Sequence, residues 1–233
     1  MKSDQEIEAE ALSFIKTHEK ELIAKFAPPE ICHSVENPVS LFMAGSPGAG
    51  KTEVSKSFIK EFKDMPIRID ADDIRTFCPN YTGTNAHLFQ KAANKGVNIL
   101  YDYALHNNLN CILDGTFAYA GAAENIQRSL RRGRQVELWF IYQDPRKAWE
   151  FTKAREARET RHVSKEIFIK TFFDSRQNAH SVKEHLGDQI RLNLLTKDYE
   201  EGEGDVKLNI TAAELDRVIN SRYSVEELTQ ILV

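Results

Sequence analysis

Residues Gly45 to Thr52 read GSPGAGKT, directly after the apolar run Val39 to Ala44 and directly before Glu53 to Phe62, where charged and apolar residues alternate at helical spacing. A strand, a glycine-rich loop and a helix therefore follow one another, the opening of an α/β unit. The G-x-x-x-x-G-K-[ST] spacing also carries chemistry, because backbone N–H groups at a helix N-terminus ring the phosphates of a nucleotide. In that reading Gly45, Ser46, Pro47, Gly48, Ala49 and Gly50 form the cradle for ATP. Lys51 reaches the β- and γ-phosphates, and the Thr52 hydroxyl ligates Mg²⁺. A glycine-rich loop by itself is often only a turn; the strand before it and the helix after it are what point to a nucleotide.

The rest of the chain continues the alternation. Short apolar runs at Pro66 to Asp70, Cys111 to Leu113 and Gln135 to Tyr142 read as strands, and helical patterns cover Asn85 to His106 and Ala120 to Arg132. Asp144-Pro145 opens a long helix as a cap followed by proline in the first turn, and Ser164 caps another that runs to Leu186 with Ile167, Phe168, Thr171 and Phe172 as its buried face. Gln189 to Leu195 and Val206 to Ile210 read as a strand and its hairpin partner, joined by the acidic DYEEGEGD. Thr211 and Ser224 cap two short final helices. Strands alternating with helices of this length predict a parallel sheet with helices on both faces, a P-loop kinase-like three-layer α/β/α fold.

Ahead of this unit, Ile7, Ala11, Ile15, Leu22 and Phe26 recur at near-heptad spacing. They predict one amphipathic helix from Asp4 to Phe26, capped by Ser3 or Asp4 and ended by Pro28 and Pro29. With the polar linker Glu30 to Asn37 this makes an N-terminal helical appendage, residues 1–37. Residues 38–233 form the nucleotide-binding domain, with a helical lid around 145–186.

Composition bounds the function without naming it. The 233 residues are 41% hydrophobic and 28% charged with a net charge of −4, the balance of a soluble globular chain. The opening MKSDQEIEAEAL is too polar for a secretory signal, and no segment reaches about 18 uninterrupted apolar residues, so a cytoplasmic location away from membranes is expected. Three cysteines, Cys32, Cys78 and Cys111, lack metal-ligand spacing and read as reduced thiols. The cluster Arg128, Arg131, Arg132 and Arg134 has no interleaved aromatics and lies where a helix ends, so no nucleic-acid partner is expected.

A nucleotide loop does not separate ATPases, GTPases and small-molecule kinases. No N-K-x-D sequence is present to read guanine, and Asp114-Gly115-Thr116 is not a D-x-x-G switch. A kinase needs a base for the acceptor hydroxyl, and Ile69-Asp70-Ala71-Asp72-Asp73-Ile74-Arg75 supplies three carboxylates and an arginine at the C-terminal end of a strand, the edge where open α/β sheets bind ligands. Asp70 and Asp72 share a side if the chain stays extended, Asp73 is placed to cap the following turn, and Asp72 is the preferred base. The alternative is that all three serve as caps or as partners of Arg68 and Arg75. Asp114 ends an apolar strand where a carboxylate orients magnesium or acceptor, or else caps the next turn; Thr116 faces the same cleft. In KAREARETRHVSK, residues 153–165, Arg155 and Arg158 share a helix face and Arg161 lies at the helix break. Lid arginines commonly neutralise the charge that builds on a transferring phosphoryl group, whereas a run of charges can equally be a solvated face.

Together these motifs resemble the zeta toxin family, P-loop kinases of bacterial epsilon/zeta toxin–antitoxin systems. The resemblance covers roughly Val39 to Leu195. GSPGAGKT matches the phosphate loop, and Ile69-Asp70-Ala71-Asp72-x-x-Arg75 with Pro79-Asn80-Tyr81 matches the I-D-x-D segment. Ile112-Leu113-Asp114-Gly115-Thr116 is similar to I-E-G-T, and Arg155 with Arg161 to Lys165 is similar to the lid arginines. The resemblance implies transfer of phosphate from ATP to the 3′-hydroxyl of the amino sugar of UDP-N-acetylglucosamine, which blocks cell-wall precursor synthesis. It also implies Lys51 and Thr52 for ATP and magnesium, Asp72 as base, Arg155 and Arg161 at the transition state, Asp114 with Thr116 near the sugar nucleotide, and a separate antitoxin as partner. Lys51 is therefore counted with the catalytic residues, and Arg75, which the I-D-x-D segment carries, with the acceptor side. Three departures fall on the acceptor side: Asp114 stands for glutamate, Ala118 for an arginine, and Cys78 for the histidine before the proline. A polynucleotide or tRNA kinase and a non-catalytic ATP-dependent switch are the competing readings.

Overall fold

Among the residues that the computed structural model describes, 2–160, 162–197, 204–219 and 223–232, six strands make one sheet. In chain order they are β1 (Val39–Ala44), β2 (Ile67–Asp70), β3 (Cys111–Asp114), β4 (Gln135–Tyr142), β5 (Arg191–Lys197) and β6 (Gly204–Lys207). Their order in space is β2-β3-β1-β4-β5-β6. The first five run parallel, and β6 pairs antiparallel with β5 at the edge. From β1 the chain moves outward to β2, returns to β3 beside β1, and then crosses to β4 on the other side. The C-terminal end of β1 is thus the point where the strand order reverses, the crevice in which such sheets bind ligands.

The helices are α1 (Asp4–Thr17), α2 (Glu19–Phe26), α3 (Lys51–Ile59), α4 (Ala71–Phe77), α5 (Gln90–His106), α6 (Ala122–Leu130), α7 (Pro145–Glu159), α8 (Lys165–Leu186), α9 (Ala212–Val218) and α10 (Val225–Ile231). They cover both faces of the sheet, as a three-layer α/β/α fold requires. Alternation along β1 assigns the faces: Leu41 and Met43 share a core with Val54 and Phe58 of α3, whereas Phe42 and Ala44 share one with Leu100 and Tyr101 of α5, Ile126 of α6 and Ala179 of α8. Helices α7, α8 and α10 enclose a smaller core of Ala148, Trp149, Phe168, Phe172 and Leu228. Among the described residues no helix is long and apolar enough to cross a membrane.

Several local expectations hold because they depend on hydrogen bonds between near neighbours. Ser3, Thr211 and Ser224 each close a capping box, and Asp144 and Ser164 cap α7 and α8. Others change. The single helix expected from Asp4 to Phe26 is two, because His18 leaves helical geometry and its ring Nδ1 lies 2.9 Å from Phe14 O. Both pieces pack on α5, and Ala11, Ile15 and Leu22 join the main core, so the N-terminal segment is continuous with it in packing. On α8 the buried stripe is Phe168, Ile169, Phe172, Ser175 and Ala179; Ile167 is 59% exposed because it lies outside that stripe. Strand β5 lies two residues later at both ends than expected, β6 begins two and ends three residues earlier, and residues 198–203 of the acidic connection lie outside the described residues.

Candidate active site

The loop between β1 and α3 is pressed against its neighbours, and this explains its glycines. Gly48 has φ +72°, and a Cβ there would stand 2.0 Å from Ala148 O of α7. Gly45 has φ +132°, and a Cβ would stand 2.3 Å from Ile141 O of β4. Only glycine combines that backbone conformation with that approach. Lys51 curls over the loop, its Nζ donating to Gly45 O at 3.1 Å and Ser46 O at 2.6 Å. The N-cap of α3 is Gly50, which has no side-chain acceptor to compete for the N–H groups of the first turn. A cradle of backbone amides, a helix N-terminus and a lysine fit a nucleotide's phosphates. Lys197, at the end of β5, donates to Gly50 O at 3.3 Å.

The carboxylates lie along the same sheet edge. Asp70, not Asp73, caps α4: its Oδ1 accepts from Asp72 N at 2.8 Å. The strand ends at Asp70 because its pairing with β3 ends there, opposite Asp114, so the helix starts three residues earlier than a cap at Asp73 would place it. Asp72 then sits in the first turn of α4. Its Oδ1 accepts from Arg75, and its Oδ2 from Arg155 Nη2 of α7 at 3.3 Å. Arg75 is itself held by Gln90 Oε1 at 2.5 Å. Ala148, Thr152 and Arg155 lie on one face of α7, four and then three residues apart. That face touches the phosphate loop at Gly48 and reaches Asp72 one or two turns later.

Asp114, at the end of β3, is turned inward with a side chain only 2% exposed. Its Oδ2 accepts from Ser55 Oγ of α3 at 2.6 Å and from Arg68 of β2. Arg68 also pairs with Asp70 and, at 2.5 Å, with Asp73. Burial, followed by the charges of Asp114 and Asp72, pushes the Asp70 carboxyl from 3.8 up to about 6 against the pull of Arg68. Thr116 is joined to the phosphate loop through its carbonyl, which accepts from Gly45 N at 3.2 Å.

Arg161 lies outside the described residues. Arg158 is exposed on α7. Of the basic cluster, buried Arg134 donates to Ser40 Oγ, Val39 O and Leu109 O, Arg132 donates to Leu105 O at 3.3 Å, and Arg128 and Arg131 pair with Asp102 and Glu124. Among the described residues no three His, Cys, Asp or Glu side chains form a metal-ligand set. Residues missed from sequence are Ser55, Gln90 and Thr152, none of which carried a signal. Arg68 entered the sequence reading only as a partner of the aspartates, and the pairings weighed there are present: Arg68 with Asp70 and Asp73, Arg75 with Asp72, and Asp70 as cap.

The zeta toxin family model matches residues 25–201. Among solved structures, the fold superposes on the PezAT chromosomal toxin–antitoxin system of the human pathogen Streptococcus pneumoniae with a TM-score of 0.72 at 19% identity, covering 94% of this chain and 93% of that one. It superposes on AvrRxo1-ORF1:-ORF2 with ATP with a TM-score of 0.63 at 14% identity, covering 95% and 73%. A third match, to the Pnkp1/Rnl/Hen1 RNA repair complex, has a TM-score of 0.50 at 15% identity over 64% and 47%. At these identities the shared property is the fold. No curated protein sequence matches.

Proposed function

The chain belongs to the zeta toxin family, and from that membership we propose that it is an ATP-dependent kinase acting on a hydroxyl of a nucleotide sugar, the 3′-hydroxyl of the amino sugar in UDP-N-acetylglucosamine, and thereby a toxin that blocks cell-wall precursor synthesis. One observation carries the reading: a single face of α7 packs on Gly48 of the phosphate loop and pairs through Arg155 with Asp72. A phosphate loop and a carboxylate tied to one rigid helix are what phosphoryl transfer needs, because its catalysis is chiefly positioning and charge stabilisation.

In this reading the loop amides and Lys51 hold the phosphates, with Thr52 as the protein ligand of Mg²⁺. ATP supplies the transferable phosphoryl group, and Mg²⁺ when bound offsets phosphate charge. Asp72 takes the proton of the acceptor hydroxyl as the new oxygen–phosphorus bond forms and ADP leaves. Arg155, extended from the helical lid of residues 145–186, faces the charge that builds on the transferring group; Arg161 is proposed to join it from the family motif. Thr116 is proposed to line the acceptor side, and Arg75, whose side chain is only 4% exposed, to act there through its pair with Asp72. Asp114 acts there through its contacts with Ser55 and Arg68, since its side chain is buried. By analogy with the partnered relatives, an antitoxin is the proposed protein partner.

Incubating the protein with γ-labelled ATP and a metabolite extract tests this. The expected product is a UDP-sugar one phosphate heavier. Label in RNA, or tight ATP binding with no phosphorylated metabolite, overturns it.

A further inference from the structure

Arg68 of β2 contacts three other elements of the site at once. Its Nε donates to Ser55 Oγ of α3 at 3.1 Å and to Asp114 Oδ2 of β3 at 2.9 Å. Its Nη2 bonds the same Asp114 oxygen at 2.6 Å and pairs with Asp70, the cap of α4, while Nη1 donates to Asp73 Oδ2 of α4 at 2.5 Å. A planar guanidinium with a fixed fork of donors holds such a set in one arrangement, which a lysine ammonium on a flexible stem does not.

The charges require this tie. Asp70 and Asp114 are buried and end neighbouring strands side by side in register. A cation between them offsets the repulsion of two such carboxylates and so favours one fixed arrangement. Helix α4 has only seven residues, too short to hold itself in place. Buried Ile74 packs it into the main core, while Gln90 holds Arg75 and Arg155 holds Asp72. The start of the helix is set by Asp70, whose Oδ1 holds Asp72 N, and by Asp73, and Arg68 grips both. Through Ser55 the same side chain reaches α3, one turn beyond the loop residues Lys51 and Thr52.

We propose that Arg68 is a positioning residue that sets the placement of Asp72 relative to the phosphate loop by tying the first turn of α4 to α3 and to the end of β3. The proposal rests on the reading of Asp72 as the base. It also accounts for the aspartate at position 114: the carboxylate is engaged inward by Arg68 and Ser55, so its role is to hold the frame and not to face the acceptor.

The test compares Arg68→Lys, the charge-balanced pair Arg68→Met/Asp114→Asn, and Asp73→Asn with the parent chain. Asp73 is a 49% exposed spoke of the network, so its variant is expected to fold even where the buried changes do not. ATP affinity is expected to stay within about threefold, while kcat falls by about 100-fold in the Arg68 variants and by a smaller factor of the same sign in Asp73→Asn, the scale of misplacing a reacting group by about 1 Å. A second readout needs no turnover. In hydrogen exchange, ATP is expected to slow residues 71–77 of the parent chain, with that response reduced in Asp73→Asn and lost in Arg68→Lys. Parent-like kcat and exchange in the folded variants overturn the proposal, as does a loss of ATP affinity equal to the loss of kcat. If the parent chain phosphorylates no acceptor, the kinase reading fails by itself and the exchange response still decides the role of Arg68.

Discussion

Arg155 Nη2 of α7 lies 3.3 Å from Asp72 Oδ2 of α4, joining residues 83 positions apart in sequence. The pair latches the helix that covers the phosphate loop onto the carboxylate proposed as base. In the proposed reaction Arg155 would hold the base before transfer and face the phosphoryl group during it, serving both closure and charge stabilisation.

Replacing Asp72 with Asn keeps the side chain's shape and removes its ability to take a proton. Transfer is expected to fall by about 10² to 10⁴-fold with ATP affinity retained. Calorimetric titration with ATP beside initial-rate measurements checks this, and unchanged turnover removes Asp72 from the role.

Arg155→Ala separates stability from rate. Its side chain is 41% exposed, so loss of the ion pair is expected to cost no more than about 1 kcal/mol of folding stability. Loss of charge stabilisation during transfer is expected to cost about 10²-fold or more in kcat. A large drop in melting temperature with unchanged kcat would reverse the assignment.

Gly48→Ala forces a Cβ to within 2.0 Å of Ala148 O at a φ of +72°. The variant is expected to lose more than about 1 kcal/mol of stability, because the residue is strained and the loop must move off α7. Weaker ATP binding should accompany it. Denaturant melts and nucleotide titration measure the two effects separately.

Asp70 has its carboxyl raised from 3.8 to about 6, so the folded state holds this proton more tightly than the unfolded state does. Its contribution to stability is fully present below about pH 4 and is lost as pH rises through about 6, by up to about 3 kcal/mol. Comparing the parent with Asp70→Asn at each pH cancels the other titrating groups. The stability of the parent relative to the variant is expected to decline between pH 4.5 and 7.5; a constant difference would show that Asp70 does not titrate in that range.

Legibility followed the range of the interactions. Strand β4 runs from Gln135 to Tyr142 as the alternation predicts, and the caps Ser3, Asp144, Ser164, Thr211 and Ser224 stand where expected. For the caps the deciding contacts lie within a few residues; for β4 the alternating pattern itself lies within the segment, although its partners β1 and β5 do not. The helix break at His18 was hidden because apolar spacing continues across it. The choice of Asp70 over Asp73 as cap depended on where β2 stops pairing with β3, a register no local pattern encodes.

From the sequence alone follow the phosphate loop, the α/β/α class, the family, and the residue types that a phosphotransfer site would need. These are set by local spacing, which covalent geometry converts directly into strands, turns and helix ends. Only the tertiary structure decided how those residues are used: Asp114 turned inward to Ser55, Arg68 gripping three carboxylates, and one face of α7 spanning Gly48 and Asp72. Those relations depend on which strands lie side by side and which helix crosses them. Burial then decides which charges must be paired, and no spacing within a single segment carries that information.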